Sequence, residues 1–461
     1  VSTSLASDRV TREQRASVER RFLLCLSPIL AIALAIRVAF VLIRQSSVQL
    51  VTGDAYWYHF QAKLVAQGRG FLHPFDFYKD GIVSQGADHP PGFVLVLTVL
   101  DWLGIDSAQG QRLAMCLVGT VSVAVIGYLG RHLAGSTAGL IAASLAAVYP
   151  NMWINDGMLM VETVFILATA VSLLACYRYL SRPNRLDVAL LSVALTVAAM
   201  TRPEAILLFL VLPVPLVLAR RNIDLQERAF QLVIAACIPI LAFAPWVLYN
   251  QSRFEDSVLL STGAGQTLAA GNCDLTFNGT NLGFYDTKCL LAPQIVEPTT
   301  EDRSLRDSEY REIARAYISE HSSELPKVMA ARVGRVWHLY RVDQSIGLDG
   351  FVEGRAGGAP GGGFFLVREA LWAYFVLAPL AIFGLYVLHR RRTKIYPLLM
   401  QPALVTIVAA LTFGITRYRA GAEVTIVVCA AVAINVIAAK LFPPRNDQVE
   451  PFAAAEQEVS A

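Results

Sequence analysis

Four acids, one histidine and three arginines sit at the edges of apolar stretches, where charge needs a reason. Asp54 lies in Gly53-Asp54-Ala55-Tyr56-Trp57-Tyr58-His59-Phe60. Trp57, Phe60/Gln61 and Leu64 recur at helical spacing, which predicts a short amphipathic helix on a membrane surface. An Asp at its start can cap the helix by accepting from free backbone N–H groups. It can equally be a carboxylate at the membrane–water boundary, made more basic by partial burial. Asp88-His89-Pro90-Pro91-Gly92 comes next. A Pro pair stops one helix and starts another, so Asp88 and His89 stand at a rigid corner. His89 can donate to a phosphate there, or be an interfacial histidine without a role. Residues 150–157 carry Asp156, and Glu162 follows one to two turns into an apolar helix. An acid in an apolar helix is costly, so it is read first as functional and second as a packing partner. In Thr201-Arg202-Pro203-Glu204 the Pro and Glu make a good helix start, which leaves Arg202 unexplained. Thr416-Arg417-Tyr418-Arg419 places two more arginines between apolar stretches. A guanidinium fork matches phosphate oxygens, which makes phosphate the natural ligand for Arg417 and Arg419.

The elements that hold these residues are membrane helices. The chain has 461 residues, of which 55% are hydrophobic and 16% charged. Its mean hydropathy is +0.49. Soluble domains are about 25% charged, and a single soluble core stops growing well before it could hide this much apolar sequence. The expected class is an all-α polytopic membrane protein. Disordered, collagenous, coiled-coil and secreted disulfide classes are excluded. A net charge of +3 gives no reason to expect a nucleic-acid partner. Ala-, Val- and Arg-rich usage leans toward a high-GC bacterium.

A span needs about 20 apolar residues. Candidates are 22–43, 111–130, 136–150, 158–180, 187–201, 203–219, 230–249, 369–388, 396–414 and 422–440. Basic residues on short loops mark the cytoplasmic side. Arg9 to Arg21, Arg131-His132, Arg178/Arg182/Arg185, Arg220/Arg221/Arg228, Arg390 to Lys394 and Lys440/Arg445 all fall on one side if the chain crosses about ten times (ten to twelve). Residues 91–104 are apolar, but a crossing there would invert every later loop. They are read as re-entrant or interfacial. The resulting layout has a cytoplasmic tail 1–21, a membrane domain 22–440 and a cytoplasmic tail 441–461. Two large extracytoplasmic loops, 44–110 and 250–368, are expected to be folded, and 354–363 reads as a flexible Gly-rich hinge. Cys273 and Cys289 lie in the second loop, where either a disulfide or two free thiols can exist.

Under this topology Asp54, Asp88, His89, Asp156, Glu162, Arg202, Arg417 and Arg419 share one face of the membrane. Acids and cations at an apolar interface suit a substrate with a lipid tail, a phosphate and a polar head. The order and sidedness of these steps resemble the GT-C glycosyltransferases. The resemblance extends over residues 22–440, and is nearest the branch with the protein mannosyltransferases and the lipid A aminoarabinose transferases. It implies transfer of a sugar from a polyprenyl-phosphate donor to a glycan, lipid or protein acceptor on the extracytoplasmic face. By that resemblance Asp54 is the general base and Asp156 a second acid that orients a substrate. Asp88, His89, Glu162, Arg202, Arg417 and Arg419 would bind substrate. His89 stands where the aminoarabinose transferases carry a Lys before Pro-Pro, and a neutral His brings no fixed charge. No cofactor is required and no tight metal-ligand spacing is present. A divalent cation at acids such as Asp54 and Asp156 is compatible with the chemistry.

Two other classes fit a polytopic chain. A lipid or sugar transporter would show internal repeats and charges near the bilayer midplane. This chain shows no repeat, and its charges gather at one face. A non-catalytic membrane subunit would tolerate loss of Asp54.

Overall fold

The computed structural model describes residues 2–220, 223–290, 302–351 and 363–442. Arg221, Arg445, the Gly-rich run before Gly363 and the tail after Phe442 lie outside the described residues. The described residues are helical apart from turns and one isolated bridge, Leu72 to Gln85.

Among the described residues, six helices are long and apolar enough to cross a membrane. They are α1 (Ser2–Phe40, continuing through a π-turn to Gln45), α4 (Ala108–Val148), α5 (Glu162–Ser181), α8 (Leu225–Gln251), α13 (Gly363–Arg390) and the last, α15 (Ala420–Leu441). Shorter apolar helices complete the bundle: α6 (Arg185–Thr201), α7 (Pro203–Leu218) and α14 (Tyr396–Leu411). Helix α4 is two arms. Ala134 and Gly135 leave the helical region, and Gly135 has φ 86°, which costs a glycine little. The arms fold back on each other through small residues. A Cβ on Gly127 would lie 3.2 Å from Ala143, and one on Gly130 would lie 2.9 Å from Ala142. Small side chains let membrane helices approach this closely. With α4 counted as two arms, the described residues hold ten apolar helical segments in the bundle, consistent with the ten crossings read from the charge pattern. Large apolar side chains such as Ile32, Val121, Leu241, Trp372 and Ile382 point outward, as lipid-facing positions do.

The two ends of the bundle differ. One end gathers Glu19 with Arg131, His132 with Ser181, Arg185 with Glu227, and the Arg220 guanidinium on the Tyr179 carbonyl. These are the basic short loops of the sequence. The opposite end carries the two long loops. In the first, α2 (Gly53–Ala66) packs on α3 (Gly92–Trp102), and both sit against the bundle. Helix α3 has 11 residues, too few to cross, which agrees with a non-spanning 91–104. The second loop folds into α9 (Ala264–Gly271), α10 (Arg303–Glu320), α11 (Leu325–Val336) and α12 (Val342–Phe351). A disulfide joins Cys273 to Cys289 beside α9. The loops are tied together by Arg303, which reaches Asp76 at 2.8 Å and Asp88 at 3.4 Å. The Thr262 amide also donates to the Ala87 carbonyl at 2.8 Å. Helix α1 is continuous from Ser2, so the segment before residue 22 is helical.

Candidate active site

Five of the eight residues meet in one cluster at the long-loop end. Asp54 lies in the first turn of α2, two residues past the cap position held by Thr52. Its carboxylate does not cap the helix; Oδ2 accepts from Arg417 Nη2 at 2.6 Å. Arg417 comes from the tight turn Thr416–Arg419 that enters α15. Its Nε donates to Glu162 Oε1 at 2.5 Å. The same Glu162 oxygen accepts from Arg202 Nη2 at 2.5 Å, and Arg202 Nη1 reaches Glu204 at 3.2 Å. His89 Nε2 stands 3.7 Å from Asp54 Oδ1, with its ring 4.8 Å from the rings of both Trp57 and Tyr58.

The cluster is graded from surface to core. The Asp54 and His89 side chains are 30% and 28% exposed, and that of Arg417 is 16% exposed. Glu162 is fully buried beneath them. Asp54 and His89 thus lie nearest the surface, Arg417 beneath them, and Glu162 with Arg202 deepest. Burial alone would raise the Asp54 carboxyl, but Arg417, His89 and Arg202 outweigh it and hold it at about 2. Burial, with the Asp54 charge beside it, pushes the Tyr58 phenol above its ordinary value.

Helix ends explain why these residues converge. Glu162 opens α5, Arg202 closes α6, Pro203 and Glu204 open α7, and Arg417 precedes α15. Alternating crossings bring those termini to one end. Rigid supports fix two of them. A Cβ on Gly92 would lie 2.6 Å from the Met200 carbonyl, so the Pro90-Pro91 corner sits directly on the end of α6. Leu159, buried with φ 55°, turns the chain just ahead of Glu162. A non-glycine residue in that region costs of order 1 kcal/mol and is tolerated only where its surroundings hold it.

Three sequence candidates stand apart from this cluster. Asp156 is 1% exposed and bonds Arg37 Nε at 2.7 Å and Thr163 Oγ1 at 2.8 Å. Burial pushes its carboxyl up to about 6 against the pull of Arg37. Asp88 belongs to the loop clasp, facing Arg303 and, at 3.8 Å, His73. Arg419 is fully buried, donates to Glu423 at 2.6 Å and lies 3.8 Å over the Tyr374 ring. Sequence reasoning missed Arg37 and Arg303. The first had a signal, a lone arginine inside an apolar span. The second had none, because α10 is polar throughout. Among the described residues no group of three or more His, Cys, Asp or Glu could hold a metal ion. Asp54 and Asp156 each face an arginine of their own.

Residues 88–249 match the family model described as dolichyl-phosphate-mannose-protein mannosyltransferase. That segment includes Asp88, His89, Asp156, Glu162 and Arg202 and excludes Asp54 and Arg417. No protein of the curated set matches the chain in sequence. The structure is similar to the Archaeoglobus fulgidus oligosaccharyltransferase in the apo form, with 17% identity, a TM-score of 0.52, and coverage of 90% of this chain and 51% of that one. The chain thus spans about half the length of that protein. Archaeal oligosaccharyltransferase AglB from Archaeoglobus fulgidus, in complex with an inhibitory peptide and a dolichol-phosphate, is similar at 14% identity and a TM-score of 0.48, covering 94% of this chain and 53% of that one. ArnT from Cupriavidus metallidurans, bound to undecaprenyl phosphate, gives 14% identity and a TM-score of 0.39, covering 90% of this chain and 79% of that one. The chain is a multi-pass helical membrane protein with the GT-C fold. It resembles the GT-C glycosyltransferases in architecture, and over 88–249 in sequence.

Proposed function

We propose that the protein is a glycosyltransferase that moves a sugar from a polyprenyl-phosphate donor to an acceptor hydroxyl on the extracytoplasmic face. The observation that carries this reading is the half-open Asp54 carboxylate, set beside His89 and Arg417 at one end of an apolar bundle. The family match over 88–249 and the GT-C fold support it.

The reaction is a single displacement with inversion. The acceptor hydroxyl oxygen attacks the anomeric carbon and forms the new C–O bond. Its proton passes to Asp54. The bond from the anomeric carbon to the phosphate oxygen breaks, and polyprenyl phosphate leaves with the bonding pair. Arg417 and His89 are placed to meet the charge that grows on the phosphate, where fixed cations are worth most. Arg202 and Glu162 hold Arg417. Asp156 acts from beneath, holding the 150–161 segment to α1 through Arg37 and to α5 through Thr163. Asp88 fixes the His89 corner through Arg303. Arg419 braces the start of α15 through Glu423. The acceptor is a hydroxyl of a glycan, lipid or protein. Both termini lie on the cytoplasmic side.

The test is a panel of short-chain polyprenyl-phosphate sugars offered to the purified protein and to Asp54→Asn. Wild type should release sugar from at least one donor, and the variant should do so about 10²-fold more slowly or less at an unchanged melting temperature. Transport of a labelled donor across vesicles, with the sugar–phosphate bond intact, would establish a transporter instead.

A further inference from the structure

We propose that Arg417 is exchanged between two anions, turning about its contact with Glu162, so that the donor phosphate frees Asp54 as it binds. The inference rests on the donor class named above and adds how the site is switched. The base is masked, because Asp54 Oδ2 is bonded to Arg417 Nη2 at 2.6 Å. A carboxylate tied to a guanidinium is a poor proton acceptor. The cluster has no second arginine to spare. Arg202 is held by Glu162 and Glu204, so three acids share two arginines. A phosphodiester brings one more negative charge to the same cluster and must compete with Asp54 for a cation.

The geometry allows that competition without dismantling the buried pair. Arg417 meets Glu162 through Nε and Asp54 through Nη2, which are different nitrogens of one planar group. Glu162 is fully buried and its Oε1 also accepts from Arg202, so it stays in place. A turn about the Nε contact carries the Nη edge away from Asp54 while the buried pair is kept. Asp54 is 30% exposed, the most accessible group of the cluster. Glu162 is therefore a positioning residue that acts through Arg417. The arrangement also orders the reaction. The base is unmasked only when donor is present, which protects it from idle proton transfer.

The test is binding of undecaprenyl phosphate, without sugar, to wild type, Asp54→Asn, Arg417→Ala and the double variant in nanodiscs. Exchange makes Asp54 a competitor, so Asp54→Asn should bind the lipid about tenfold more tightly. The gain should vanish in the Arg417→Ala background, which is the coupling a double-mutant cycle reads. An unchanged affinity in Asp54→Asn overturns the exchange. A gain that persists in full without Arg417 also overturns it, since that is plain repulsion between two anions. Asp54→Ser provides a second neutral variant should Asn fold poorly. Glu162→Gln keeps an acceptor oxygen and should keep the coupling, whereas Glu162→Ala should lose it. Coupling that survives Glu162→Ala removes the pivot. If wild type does not bind the lipid phosphate at all, the donor class itself fails and the exchange falls with it. If wild type binds and the cycle shows no coupling, only the exchange fails.

Discussion

At the scale of residues, the cluster turns on which anion holds Arg417. The Arg417 contact helps hold the Asp54 carboxyl at about 2. A carboxyl depressed in the folded state stabilises the protein above its ordinary value near 4, and that contribution is lost as pH falls toward 2. For activity, kcat/KM reports groups of the free enzyme and kcat those of the loaded enzyme. The acid limb of kcat/KM for donor should therefore show no Asp54 ionisation above about pH 4. The limb of kcat should move up toward the ordinary carboxylate range once the phosphate takes Arg417. Coincident limbs, measured on one preparation with one donor, would show that Arg417 stays on Asp54 throughout turnover. Much of this cluster is legible one residue at a time, because Asp54, His89, Glu162, Arg202 and Arg417 each break a local rule of membrane sequence. The choice between Arg417 and Arg419 is harder. Glu423 stands four residues after Arg419 on the same helix, which is the spacing of an internal ion pair, and the structure uses it so.

At the scale of elements, the site depends on a second, hidden ion pair. Arg37 of α1 and Asp156 of the 150–161 segment are both buried, and Thr163 on α5 completes the contact beside Glu162. Helix α4 makes room for it at Gly119, where a Cβ would lie 2.0 Å from Asp156 Oδ2. Removing one member of a buried pair leaves an uncompensated charge and costs about 3–5 kcal/mol. Arg37→Leu should therefore lower the unfolding free energy by about that amount, whereas Asp88→Asn in the half-buried loop clasp should cost about 1 kcal/mol or less. Gly119→Ala should destabilise by about 1–3 kcal/mol through overpacking against the carboxylate. Thermal unfolding in a fixed detergent checks all three. Equal melting temperatures for Arg37→Leu and wild type would mean that the pair does not support the segment. The sequence shows that an arginine in an apolar span needs a partner. It cannot show that the partner lies 119 positions away, because that pairing is set by how α1 packs on α4.

At the scale of the whole molecule, two unlike ends define the protein. One end binds basic loops to one another through Glu19–Arg131, His132–Ser181 and Arg185–Glu227. The other end holds the folded loops, the disulfide and the Asp54 cluster. The crossing count and the short α3 were legible because hydropathy and basic loops constrain parity. The interior of the second loop was not, since its helices are polar or short and follow no membrane rule. The proposed orientation follows the positive-inside rule: a basic end in the cytoplasm would put the cluster in the compartment where a disulfide persists. Single cysteines on each end test it directly. Ser257→Cys lies on the exposed surface of the second loop, and Lys394→Cys on the exposed turn between α13 and α14. A membrane-impermeant maleimide applied to intact cells should label the first above the background of the parent protein, and the second only after the membrane is opened. Labelling of Lys394→Cys in intact cells, with Ser257→Cys protected, would invert the protein and place Asp54 in the cytoplasm. The acceptor would then have to come from the cytoplasm.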